Sequence, residues 1–291
     1  MYIFEGAATA LITPFDKKNK INFDAFKKIV DHQIANKISA LVFLGTTGEA
    51  STLSEKEKLE VAEFAVSYVN HKVPVILGAG GNNTFEVIKR SKKFAKLGAD
   101  ALLQVSPYYN KATQNGLIEH YSLIANKSKV PQILYNVPSR TGVNLMPETV
   151  FQLAKNPNIV GLKEAGGNIS QLNKLMSQKP KDFAVYSGDD ENIFTTLALG
   201  GQGVISVVSN ILPKETEKLC QLYFDGKIQE ARNIQFELLP IIEMLFSEVN
   251  PIPVKSAMNL LGFDAGKPRL PLTKFSEENL KKLKPLMKCR C

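Results

Sequence analysis

The chain has 291 residues, 44% apolar and 22% charged, and its 36 basic and 28 acidic side chains give a formal charge of +8. These are the proportions of a soluble globular protein, and they exclude a disordered, collagenous or disulfide-scaffold chain. No apolar run approaches the roughly 20 residues of a membrane helix. The basicity does not point to nucleic acid, because only five basic residues are Arg and the Lys residues lie along amphipathic stretches such as SKKFAKLG (91–98), a solvated helix face.

In chain order, eight short β-rich apolar runs recur: AATALI (7–12), ALVFL (40–44), VPVIL (73–77), DALLQV (100–105), VPQILY (130–135), IVGLK (159–163), FAVYS (183–187) and GVISVV (203–208). Their starts lie one βα unit apart. Between the first five, NFDAFKKIVDHQI, SEKEKLEVAEFAVSYV, NTFEVIKRSKKFAKLG and TQNGLIEHYSLIANK repeat apolar residues at helical spacing. Ser54 with Glu57 forms a capping box, and Gly98 marks a stop. Runs apolar on both faces predict parallel strands covered by helices. Eight such units predict an α/β fold, a (β/α)₈ barrel with a C-terminal helical appendage. The doubly wound alternative lacks its glycine fingerprint after the first strand. The expected division is a catalytic barrel over 1–212 and a helical region over 213–291, read from PKETEKLCQLYFDG, KIQEARNIQFELLPIIEMLF and SEENLKKLKPLM.

In such a barrel the chemistry collects after the C-terminal ends of strands. Those segments are GTTGE (45–49), SPYYN (106–110), YNVPSRTG (135–142), LKEAGG (162–167) and SGDD (187–190). His32, His71 and His120 fall on helices or helix ends and are expected at the surface, which argues against a histidine base or a His-ligated metal. The cysteines, Cys220, Cys289 and Cys291, show neither disulfide nor zinc spacing and are expected to be reduced.

Lys163 is the anomaly, an ammonium at the end of an apolar strand. Burial lowers a lysine's pKa and makes the neutral amine a nucleophile that forms a Schiff base with a ketone. The alternatives are pairing with Glu164 or a tip in water. Tyr135, Tyr108 and Tyr109 end strands, and a phenol can relay protons. Thr46 and Thr47 lie between glycines, where exposed N–H groups make a small-carboxylate pocket. GAGG (78–81) could cradle phosphate but lacks the P-loop Lys-Ser/Thr. Asp189 and Asp190 could hold a metal with Glu164, without spacing logic to support it.

Six segments in order, GTTGE, SPYYN, YNVPSRTG, GLKEAGG, GGQGVISV and NPIPVK, resemble the dihydrodipicolinate synthase family of the pyruvate-dependent class I aldolase superfamily, from Phe4 to about Met287. The resemblance implies that Lys163 forms the Schiff base with pyruvate and that Tyr135 shuttles protons. Thr46 would link Tyr135 to Tyr109 of a neighbouring subunit. The Thr46 and Thr47 amides would hold the pyruvate carboxylate, and Arg140 that of L-aspartate 4-semialdehyde. Gly188 and Ile205 would line the pocket through backbone groups. It further implies a lyase of lysine biosynthesis through diaminopimelate, needing no cofactor and no metal, and a homotetramer of two tight dimers. No nucleic-acid or membrane partner is expected. MYIFEGAATALITPF has an acid where a signal peptide needs basic residues, so a cytoplasmic location is expected. Ala50, Ala112 and Lys274 depart from the common family pattern, none at a catalytic position.

N-acetylneuraminate and 2-keto-3-deoxygluconate aldolases are the enzyme alternatives, the former expected to carry GSTGE and no Arg at position 140. A non-catalytic ligand-sensing barrel is the other alternative. Feedback-inhibited members bind lysine at the tight-dimer interface. Here Asn82, Glu86 and Tyr108 match that site, while Glu55 and Lys58 stand where histidines are common. Three apart on a helix, they can pair with each other, so weak or absent lysine inhibition is expected.

Overall fold

A computed structural model describes residues 2–288, without the side chain of Lys288. Eight parallel strands close into one barrel: β1 (Gly6–Ala10), β2 (Ala40–Phe43), β3 (Val75–Gly78), β4 (Ala101–Val105), β5 (Gln132–Asn136), β6 (Ile159–Glu164), β7 (Ala184–Ser187) and β8 (Gly203–Ser206), with β8 pairing back onto β1. Each lies within a residue or two of the apolar run that predicts it. The helices of the barrel are α1 (Phe23–Ala35), α2 (Glu55–Val69), α3 (Thr84–Leu97), α4 (Gln114–Ser128), α5 (Pro138–Thr141), α6 (Pro147–Leu153), α7 (Ile169–Gln178) and α8 (Ile193–Ala198). Beyond β8 come only helices among the described residues: α9 (Pro213–Phe224), α10 (Ile228–Leu245), α11 (Ile252–Leu260) and α12 (Glu277–Lys288).

Local chemistry sets the helix ends. Ser54 accepts from the Glu57 amide while the Glu57 carboxylate accepts from the Ser54 amide, so the predicted capping box opens α2; such a cap contributes about 1 kcal/mol. Gly98 ends α3 at φ 97°, a left-handed position that glycine adopts without strain. α11 is not among the three C-terminal segments read as helices, and it opens on the prolines of NPIPV. Proline is nonetheless compatible with a first helical turn, whose N–H groups have no intrahelical partner.

Strand side chains alternate between two cores. Ala8, Ala10, Ala40, Val42, Ile76 and Ile133 fill the barrel interior, while Ala7, Leu41, Phe43, Val75 and Leu77 pack outward against helices. Phe4 stacks on Tyr186, ring centroids 4.1 Å apart, and fills the interior core further. On β6 the same alternation sends Leu162 outward. Two-residue periodicity therefore turns Lys163 inward, in register with Tyr135 on β5 and Tyr186 on β7.

Candidate active site at the C-terminal mouth of the barrel

Lys163 is 5% exposed. Its Nζ lies 4.5 Å from the centroid of the Tyr135 ring and makes no salt bridge. Pairing with Glu164 does not occur, because that carboxylate accepts from Asn136 Nδ2 at 3.1 Å and from the Gly166 amide at 2.6 Å. Burial pushes the Lys163 amine down to about 8; Asp190 and Asp189 resist the shift, and Arg140 adds to it. Burial also raises the Tyr135 phenol, against the Arg140 charge and a hydrogen bond from Thr46. At neutral pH the pair holds an amine that is easily deprotonated and a phenol that keeps its proton.

These groups face a cavity of about 430 Å³ whose wall includes Thr46, Thr47, Tyr135, Arg140, Lys163 and Gly188. A Cβ on Gly188 would come within 3.0 Å of Lys163 Cε and 2.7 Å of Ala165 Cβ, so this position needs a glycine to leave the lysine room. Arg140, on α5, is exposed at the mouth and donates to the Asn250 carbonyl at 3.4 Å. Thr47 is buried, its Oγ1 accepting from Asn250 Nδ2 at 3.0 Å. Two expected residues stand apart. Ile205 is fully buried in the interior core and its side chain is not part of the cavity wall. Tyr109, 91% exposed with φ 72°, is likewise outside the wall of its own chain's cavity.

Other expectations need correction. His120 is not a surface residue: it is 6% exposed on the inner face of α4, shares a 2.9 Å hydrogen bond with Thr84 Oγ1, and burial lowers it to about 4. His32 is half-buried, its ring 5.0 Å from that of Phe263, and His71 alone of the three is exposed. GAGG is a packing element, since Cβ atoms on Gly78 and Gly80 would lie 2.0 Å from the Leu44 carbonyl and 2.4 Å from the Val105 amide. The carboxylates of Asp189, Asp190 and Glu164 do not converge. Asp190 accepts from the Val207 and Val208 amides, and Asp189 from Asn192. Cys220 is buried, which raises its thiol pKa and keeps it unreactive; Cys289 and Cys291 lie outside the described residues.

Sequence reasoning missed the support of the 45–49 turn. Leu44 and Glu49 bound it in left-handed conformations, φ 58° and 54°. Such strain persists only where the surroundings over-determine it. Here Lys255 Nζ donates to Glu49 Oε1 at 2.7 Å, the Arg269 amide to Oε2 at 2.8 Å, and Thr13 Oγ1 to the Gly48 carbonyl at 2.7 Å.

A second groove, about 520 Å³, adjoins the first and includes Lys58, Asn82, Glu86, Arg90 and Tyr108. The expected Glu55–Lys58 pair is present at 2.7 Å, and Arg90 adds two further bonds to Glu55. Burial alone would raise Glu55; the Arg90 and Lys58 bonds overcome it and hold the carboxyl at about 2.

A closed barrel with a desolvated amine beside a phenol at its C-terminal rim defines a class of protein, the lysine-dependent carbonyl enzymes. Comparison narrows the class. The Dihydrodipicolinate synthetase family model matches residues 3–290, and the chain belongs to that family. A 4-hydroxy-tetrahydrodipicolinate synthase of Acetivibrio thermocellus is 50% identical over 286 residues, 98% of this chain and 97% of that one. The crystal structure of dihydrodipicolinate synthase from Thermotoga maritima superposes with a TM-score of 0.96 at 43% identity, covering 99% and 98% of the two chains. A monomeric dihydrodipicolinate synthase variant also superposes at 0.96, with 42% identity and 98% and 96% coverage.

Proposed function

We propose that the chain condenses pyruvate with L-aspartate 4-semialdehyde to give 4-hydroxy-tetrahydrodipicolinate, in lysine biosynthesis through diaminopimelate. The observation that carries this reading is the buried, unpaired Lys163 amine against Tyr135. Neutral Lys163 attacks the ketone carbon of pyruvate, and loss of water leaves an iminium that acts as an electron sink. Tyr135 relays the protons of these steps through Thr46. Loss of a methyl proton gives an enamine, whose carbon attacks the aldehyde. The amino group of the second substrate then displaces Lys163 and closes the ring. The Thr46 and Thr47 amides hold the pyruvate carboxylate, Arg140 holds that of the semialdehyde, and Gly188 and Ile205 contribute through backbone groups alone. Comparing turnover of pyruvate plus aspartate semialdehyde with pyruvate plus sugar aldehydes tests this reading; preference for a sugar aldehyde would overturn it.

In this reading the barrel within residues 2–212 carries the chemistry, the helices within 213–288 brace it, and the enzyme works in the cytoplasm. No helix among the described residues is long and apolar enough to cross a membrane. The working assembly is a tight dimer, paired again into a homotetramer. The exposure of Tyr109 on strained backbone supports this, since a side chain presented that way is free to complete a neighbour's relay. Dilution until dimers dissociate, followed by sedimentation, should lower activity in step with the dimer fraction. A fully active monomer would refute the shared site.

Lysine inhibition is expected to be weak. Glu55, held by Lys58 and Arg90, is withdrawn from any ligand ammonium, and Lys58 keeps a positive charge in the groove wall. Titrating lysine into a steady-state assay should give no half-inhibition below millimolar concentration.

A further inference from the structure

The Glu49–Lys255 ion pair supports the 45–49 turn and takes no part in the proposed chemistry, yet it is the most deeply buried charge pair among the described residues, with side chains 1% and 0% exposed. Lys255, on α11, donates to Glu49 Oε1 at 2.7 Å and to the Lys267 carbonyl at 3.2 Å, with Nζ 4.1 Å from the centroid of the Phe15 ring. The second oxygen of Glu49 accepts from the Arg269 amide. Arg269 in turn stacks over the same ring, at 4.3 Å, and clamps Glu57 at the start of α2. Five residues before Lys255 in the chain, Asn250 donates to Thr47 Oγ1, and its carbonyl receives Arg140.

An ion pair this deep is a poor device for stability. Desolvating both charges costs about what their attraction returns, and apolar residues of similar volume often do as well. What charge adds is direction: each carboxylate oxygen of Glu49 takes its own donor, Oε1 the Lys255 ammonium and Oε2 the Arg269 amide. The residue so fixed is Glu49, the left-handed end of the turn that presents the Thr46 and Thr47 amides. Segment 250–255 thus grips that turn at Thr47 and at Glu49.

We infer that Lys255 is a positioning residue for the condensation: through its buried ion pair with Glu49 it holds the 45–49 turn in the conformation that receives the pyruvate carboxylate. This rests on the proposed role of the turn amides, and the test separates the two. Borohydride trapping is measured with pyruvate and with acetone, a ketone that lacks the carboxylate. Wild-type enzyme should be half-saturated by pyruvate at far lower concentration than by acetone. Equal half-saturation would overturn the role of the turn, and with it the role of Lys255.

Two variants then test the ion pair itself, each checked for its native fold by circular dichroism and thermal unfolding. Glu49→Gln keeps the shape and an acceptor; Glu49→Gln/Lys255→Met removes both charges, so that neither is left buried alone. Half-saturation by pyruvate should rise at least about tenfold in the double variant and less in the single one, because small misplacements at a binding site cost one to two orders of magnitude. Half-saturation by acetone should stay within about twofold. A purely structural role would move both ketones together or neither. An unchanged preference for pyruvate in whichever variant folds would overturn the inference.

Discussion

Replacing Lys163 with Ala should remove the condensation activity by several orders of magnitude, because the covalent route is lost outright. Borohydride with pyruvate should label the wild-type chain once, at Lys163, and the variant not at all. A label on another lysine would end the Schiff-base reading. The pH dependence follows from the depressed pKa. Only the neutral amine attacks the ketone, so adduct formation should climb about tenfold per pH unit and level off above about 8. Stability should not fall in proportion to activity. Lys163 is buried without a salt bridge, so Lys163→Met, which keeps the volume and removes the amine, should unfold at the wild-type temperature or above it.

Arg140→Ala should separate the two half-reactions. The adduct with pyruvate should still form, while its reaction with the semialdehyde slows by about one to two orders of magnitude, the worth of a charge-assisted contact at about 1.5–3 kcal/mol. Equal losses in both steps would make Arg140 structural, acting through its bond to the Asn250 carbonyl. A second signature comes from electrostatics. The Arg140 cation helps to depress Lys163, so its removal should move the rise in adduct formation to higher pH. Arg140→Lys keeps that charge and should leave the profile in place, while losing the planar fork.

The barrel was legible because its strands are apolar on both faces and regularly spaced, and Lys163 because it breaks such a run. The cavity residues Thr46, Thr47 and Tyr135 follow from the strand ends once the topology is known, whereas Arg140 and Gly188 were marked by the family resemblance alone. The brace was not legible, for a physical reason. Glu49 and Lys255 are 206 residues apart, and nothing in the local sequence at either end specifies the other. NPIPVK carries the family resemblance but no assigned task, and the helix that begins there is not among the segments read as helical. The burial of His120 did leave a trace. Leu117, His120, Tyr121 and Ile124 repeat at three- and four-residue spacing along one helix face, and all four are buried. The aromatic ring follows the apolar stripe even though its nitrogens are polar.

The brace also gives the site a direction in time. A ribosome releases this chain N-terminus first, and all eight strands are available once about two-thirds of it has emerged. The turn that bears Thr46 and Thr47 then still lacks its long-range anchors, Asn250, Lys255 and the Arg269 amide, which reach back 203, 206 and 220 residues. A nascent barrel of eight strands is therefore a scaffold whose catalytic wall is fastened only when the last fifth of the chain arrives.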